Sequence, residues 1–152
     1  MATVKSFEDL EVWKKARVLS QIIFEITNEL PFSKDFSLRN QINDASGSIM
    51  DNIAEGFDRG GNKEFIQFLA YARGSCGEVR SQLYRAEDRK YIDNERSKEL
   101  RLSTEEISKM ITGLMKYLQQ SNFKGPKYIQ EPDINYSTEQ DNSKPETLNS
   151  KL

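Results

Sequence analysis

Along most of this chain, apolar residues recur at intervals that alternate four and three. The first run reads Val12, Ala16, Leu19, Ile23, Ile26 and Leu30. A helix of 3.6 residues per turn gathers such positions into one stripe, and this alternation is the pattern of helices packed along a shared seam. A second run holds Leu38, Ile42, Ala45 and Ile49, and a third Phe65, Leu69, Ala72, Cys76, Val79, Leu83 and Ala86. The fourth, from about Asn94 to Gln120, aligns Leu100, Ile107, Ile111, Leu114 and Leu118, with Thr104 filling a gap. Each segment spans roughly 20–27 residues, about 30–40 Å at the helical rise. No stretch sustains a period of two, so no sheet is expected. Similar lengths and short connections predict an all-α protein: an antiparallel up-down-up-down four-helix bundle over residues 1–124.

Punctuation residues set the expected boundaries. Pro31 should end the first helix, Ser37 should cap the second, and Gly56 should stop it in a left-handed cap. Gly61 or Asn62 opens the third. From Gly125 the composition turns polar and proline-rich, so 125–152 is expected to be a flexible, disordered polar tail. Tyr128 and Ile129 are the anchors it would offer a partner.

The chain carries 22 basic and 24 acidic residues, and the first 124 carry 19 of each. That balance gives no bulk field toward nucleic acid or membrane, so such binding needs a local patch. Cys76 is the single cysteine, which excludes an internal disulfide and fits a reducing compartment. MATVKSFEDL lacks the apolar core of a signal peptide and no run approaches membrane-spanning length, so a cytoplasmic location without membrane contact is expected. Histidine is absent altogether. The commonest general base and the commonest metal ligand are thereby missing, and a non-enzyme without metal or cofactor is expected. A di-iron bundle needs paired Glu-x-x-His motifs, and Glu55, Glu64 and Glu78 fall on no repeated motif.

The stretch SGSIMDNIAEGF puts Asn52 on the second seam, with Ser48 and Glu55 beside it and Gly56 following. Asn52, Glu55 and Gly56 read as a structural polar brace. Glu55 sits badly against the helix dipole, so Arg73 or Arg80 is expected to offset it. A catalytic reading of the same residues lacks a nucleophile and an activating base.

Two faces stand out. Ala70, Gly74, Gly77 and Ser81 occupy outward positions of the third helix, and Asn43, Gly47, Met50 and Ala54 those of the second. Helix-interior glycine costs about 0.8–1 kcal/mol relative to alanine, a poor choice for a face in water. A subunit interface over Gly47, Met50, Ala54, Ala70, Gly74, Gly77 and Ser81 is therefore expected. The second face is a basic strip of Arg59, Lys63, Arg73, Arg80, Arg85, Arg89 and Lys90, with Tyr71 and Tyr84 available for stacking. Arginine forks suit phosphates and tyrosines suit bases. The competing reading pairs these cations with Glu64, Glu78, Glu87 and Asp88.

Three blocks, FEDLEVWKKA (7–16), NIAEGF (52–57) and KEFIQFLAYARGSCGEVRSQL (63–83), together resemble the four-helix-bundle family of 23S ribosomal RNA intervening-sequence proteins, bacterial proteins related to the accessory variability determinant of diversity-generating retroelements. Asn52, Glu55, Gly56, Glu64, Phe65, Phe68, Leu69, Gly74, Ser75, Glu78 and Leu83 match the family pattern. The resemblance implies a compact bundle assembled as a homopentamer, with no catalysis. From the retroelement relatives it implies nucleic acid and a reverse transcriptase as partners. The expected function is a non-enzymatic oligomer that binds structured RNA or DNA, or a nucleoprotein partner, through the arginines. The alternative is a protein–protein scaffold or adaptor with no nucleic-acid affinity.

Overall fold

The structure, a computed structural model, describes residues 3–121, and the tail expected over 125–152 lies outside them. Four helices follow one another: α1 Glu11–Thr27, α2 Phe36–Asp58, α3 Asn62–Asp88 and α4 Asn94–Gln120. Two short 3-10 turns, Phe7–Asp9 and Phe32–Lys34, precede α1 and α2, and no strand occurs among the described residues. Consecutive helices pack side by side and α1 also meets α4, which closes the bundle. Every apolar seam residue named above lies in the core except one. Leu30 is 71% exposed.

Leu30 is outside because α1 stops earlier than Pro31 demands. The backbone N–H of Asn28 turns back to the Glu25 carbonyl (3.2 Å) and that of Glu29 to Ile26 (3.3 Å). Thr27, fully buried, donates its hydroxyl to the Phe24 carbonyl at 3.0 Å and accepts from Asn43 of α2 at 2.9 Å. Asn43 thus faces α1 rather than solvent, a correction to its outward assignment.

The start of α2 also differs. Asp35, not Ser37, is the N-cap, accepting from the Leu38 N–H at 3.2 Å. Its other carboxylate oxygen receives the Arg89 guanidinium and the Tyr91 hydroxyl, both at 2.8 Å, while the Tyr91 ring stacks on buried Phe32 at 4.9 Å. A tertiary clamp from the α3–α4 connection therefore selects the capping position. At the other end α2 runs past Gly56 to Asp58, and the left-handed glycine is Gly60, at φ 88°. Gly56 is glycine for another reason. A Cβ built there would lie 2.5 Å from Phe68 Cβ and 3.2 Å from the Phe65 ring, so α2 and α3 approach too closely for any side chain. Gly61 caps α3 and Asp93 caps α4, the latter accepting from the Arg96 N–H at 2.7 Å.

Candidate nucleic-acid interface

The bundle separates the seven predicted cations. Arg73 donates to the Thr112 hydroxyl and Arg80 to the Glu105 carboxylate, each at 3.3 Å, so both lie along the α3/α4 groove. Arg85 instead donates to Gln41 of α2 at 3.0 Å, and Arg89 to Asp35. Those two belong to the opposite flank of α3, and the single strip expected from the sequence does not exist. Arg59 caps the end of α2, pairs with Glu55 four residues back at 3.0 Å and lies over the Phe68 ring at 5.2 Å. Lys63 is exposed in the first turn of α3, and Lys90 is exposed in the turn after it with φ 63°.

Antiparallel register explains the clustering on the α4 side. Arg73 meets Thr112, and seven residues further along α3 Arg80 meets Glu105, seven residues back along α4. The next step brings Tyr84 to Arg101, whose guanidinium lies 4.1 Å over the ring and donates to its hydroxyl at 2.7 Å. Positions seven or four apart share a helix face. Lys98 therefore sits in the Glu105–Thr112 row, while Lys109 and Lys116 each follow one of those residues by four; all three lysines are exposed. Arg73, Arg80, Lys98, Lys109 and Lys116 thus share one face, with Tyr84, 49% exposed, at one end. Tyr71 is not part of it. It packs edge-on against Phe68 at 5.7 Å and accepts from Gln67 at 2.8 Å.

The α4 lysines escape an outward count made on that helix alone, where they look like ordinary solvated residues. Their meaning comes from α3, whose Arg73 and Arg80 lean toward them. Charge is also polarised across a nearly neutral protein: the exposed side of α2 carries Asp44, Asp51, Glu55 and Asp58. A potential of this kind does not require net charge. Three of those acids line an open groove with Asn43, Gly47, Ser48 and Asn52, and no residue group that could hold a metal ion occurs among the described residues.

Within the polar brace, Asn52 is half-buried and donates to the Ser48 carbonyl at 2.8 Å and to its hydroxyl at 2.9 Å. Ser75 of α3 donates to the same Ser48 hydroxyl at 3.1 Å, so the polar run ties α2 to α3. Glu55 stands apart from that tie. Its partner is Arg59, not Arg73 or Arg80, because both of those arginines point to α4.

Of the residues assigned to a subunit interface, Gly47, Gly74 and Gly77 have open space where a Cβ would project, and Gly74, Gly77 and Ser81 are exposed. Gly47 and Gly74 each adjoin a member of the Ser48–Ser75 contact, so they flank the α2/α3 seam at one level. Met50 and Ala70 differ: both are half-buried against the protein's own core, and Ala54 is half-buried too. The thin face is narrower than the outward spacing implies.

Cys76 is 2% exposed, and burial pushes its thiol up to about 12, which leaves almost no thiolate near neutrality. It is a core residue.

Comparisons with known proteins bear on this geometry. A family model described as 23S rRNA-intervening sequence protein matches residues 8–113. A solved crystal structure from Bacteroides thetaiotaomicron, a protein of unknown function from the S23 ribosomal protein family, is 25% identical with a TM-score of 0.63. The match covers 69% of this chain and 98% of that one. No curated protein matches the chain. The family match takes in α1, α2, α3 and α4 as far as residue 113.

Proposed function

The chain belongs to the 23S rRNA-intervening sequence protein family, and from that premise we propose that it is an RNA-binding protein that works as a homo-oligomer and grips phosphates with the α3/α4 face. The observation that carries this reading is the convergence of Arg73 and Arg80 from α3 with Lys98, Lys109 and Lys116 from α4. Both arginines make only surface contacts. The Arg80–Glu105 pair has side chains 49% and 42% exposed, and such a pair contributes about 0–1 kcal/mol. A phosphate can replace Glu105 at little cost.

Oligomerisation is supported by the open glycines Gly47 and Gly74, which flank the α2/α3 seam away from the basic face. A closed ring would repeat the basic face around its circumference and multiply weak phosphate contacts by avidity. No helix among the described residues is long and apolar enough to cross a membrane. The family premise makes structured RNA the first probe. In a mobility-shift assay with a folded ribosomal RNA hairpin, the protein should retard the RNA, and retardation should fade steeply as salt rises because counterions are released. Light scattering at micromolar concentration should give a multiple of the 17.6 kDa chain. Absence of any salt-sensitive shift, with protein partners recovered in its place, favours the scaffold reading; a monomeric mass removes the oligomer.

A further inference from the structure

Between Arg73 and Arg80 the α3/α4 groove is not filled. Gly77 lies midway, and a Cβ built on it would meet nothing within 4 Å. The result is a cleft of about 170 Å³ lined by Arg73, Cys76, Gly77, Arg80, Thr104, Glu105 and Ser108. That is room for several waters, and so for a tetrahedral phosphate. Arg73 and Arg80 are about 10 Å apart along the axis, so two side chains of arginine length can lean together over its mouth. The Thr104 side chain is held inward, its hydroxyl donating to the Arg101 carbonyl at 2.6 Å, and Ser108 also lines the cleft.

We propose that this cleft is a phosphate socket, in which one RNA backbone phosphate sits over Gly77 between the guanidiniums of Arg73 and Arg80. The inference rests on the RNA-binding reading and gives it a specific anchor. Glycine is the residue that keeps the socket open, since any side chain at 77 would project into the space the phosphate takes. Glu105 is the built-in competitor. It occupies Arg80 at 3.3 Å in the free protein and yields when the phosphate arrives, so binding exchanges one partner of Arg80 for another.

The test measures anisotropy of a labelled oligoribonucleotide with Gly77→Leu, Glu105→Gln and Glu106→Gln, each variant checked for helicity and for mass by light scattering. Gly77→Leu should weaken binding about tenfold, the loss of one charge-assisted contact. Glu105→Gln should tighten it several-fold. Glu106→Gln changes net charge equally, but Glu106 pairs with Lys15 of α1 on the other side of α4, so it should change binding less than twofold. Equal effects of the two glutamine variants, or unchanged binding in Gly77→Leu, overturn the socket while leaving RNA binding by the wider face intact. If Gly77→Leu alters the mass, the two glutamine variants decide alone. A parallel thermal-shift titration with inorganic phosphate separates the sources. Stabilisation by phosphate without any RNA binding assigns the cleft to a free phosphate and overturns both the RNA socket and the reading beneath it. No response to either probe overturns both as well.

Discussion

Two alanine substitutions on one helix should move stability in opposite directions. Gly47 and Gly56 both lie inside α2. Exchanging either for alanine removes the same backbone entropy, a gain of about 0.8–1 kcal/mol. At Gly47 the new methyl meets nothing of its own chain within 4 Å, so within one subunit the gain stands alone. At Gly56 it would lie 2.5 Å from Phe68 Cβ and 3.2 Å from the Phe65 ring. Phe68 Cβ is fixed to the α3 backbone and cannot swing away, so the two helices must separate. Overpacking of this kind costs about 1–3 kcal/mol. The net expectation is a loss of up to about 2 kcal/mol for Gly56→Ala and a gain of about 1 kcal/mol for Gly47→Ala. Each kcal/mol should shift the melting midpoint by about 3–5 °C in a domain of this size. Urea unfolding followed by circular dichroism, at several protein concentrations to separate assembly from folding, measures both. Gly56→Ala as stabilising as Gly47→Ala would refute the close-approach reading.

Other expectations follow from the same contacts. The Tyr91 hydroxyl, the Leu38 N–H and Arg89 hold the Asp35 carboxyl below the usual carboxylate range. A depressed folded pKa contributes stability that is complete above the unfolded value, about 3.9, and disappears as pH falls through the lower folded value. Asp35→Asn should therefore be less stable than the parent at pH 7, with the difference shrinking below about pH 4 in urea titrations. Asp35→Ala, which also removes the cap, should cost about 1–2 kcal/mol. Cys76, with its thiol raised to about 12, should resist alkylation by iodoacetamide at pH 8 until the protein is unfolded in urea. Rapid labelling of the native protein would show that the core opens at α3.

The bundle was legible because its apolar seams are long. Val12 through Ile26 and Phe65 through Ala86 are all buried, and Asn94–Gln120 is bounded as the pattern predicts. The helix ends were less legible, since their causes lie far away in the chain. Asp35 caps α2 while also receiving groups fifty-odd residues away, and Gly56 answers to Phe68 on the next helix. The arginines show the same limit more sharply. Sequence position alone groups Arg73, Arg80, Arg85 and Arg89 in one basic strip. Only the positions of α2 and α4 reveal that the first pair turns one way and the second pair the other. Lys98, Lys109 and Lys116 are visible in the sequence as an exposed row, but their neighbourhood with Arg73 and Arg80 follows from the antiparallel register of α3 and α4.

The salt dependence of RNA binding tests the account most directly. For the parent, log K should fall linearly with log salt, with each phosphate contact contributing about 0.7–0.9 to the slope. An Arg73→Ala/Arg80→Ala variant should bind more weakly and lose about 0.7–1.8 of that slope, the lower value where both arginines grip one phosphate and the upper where each holds its own. An Arg85→Ala/Arg89→Ala variant should keep the slope, since those arginines serve Gln41 and Asp35. Equal slopes for the parent and the Arg73/Arg80 variant would contradict the assignment of RNA binding to the α3/α4 face.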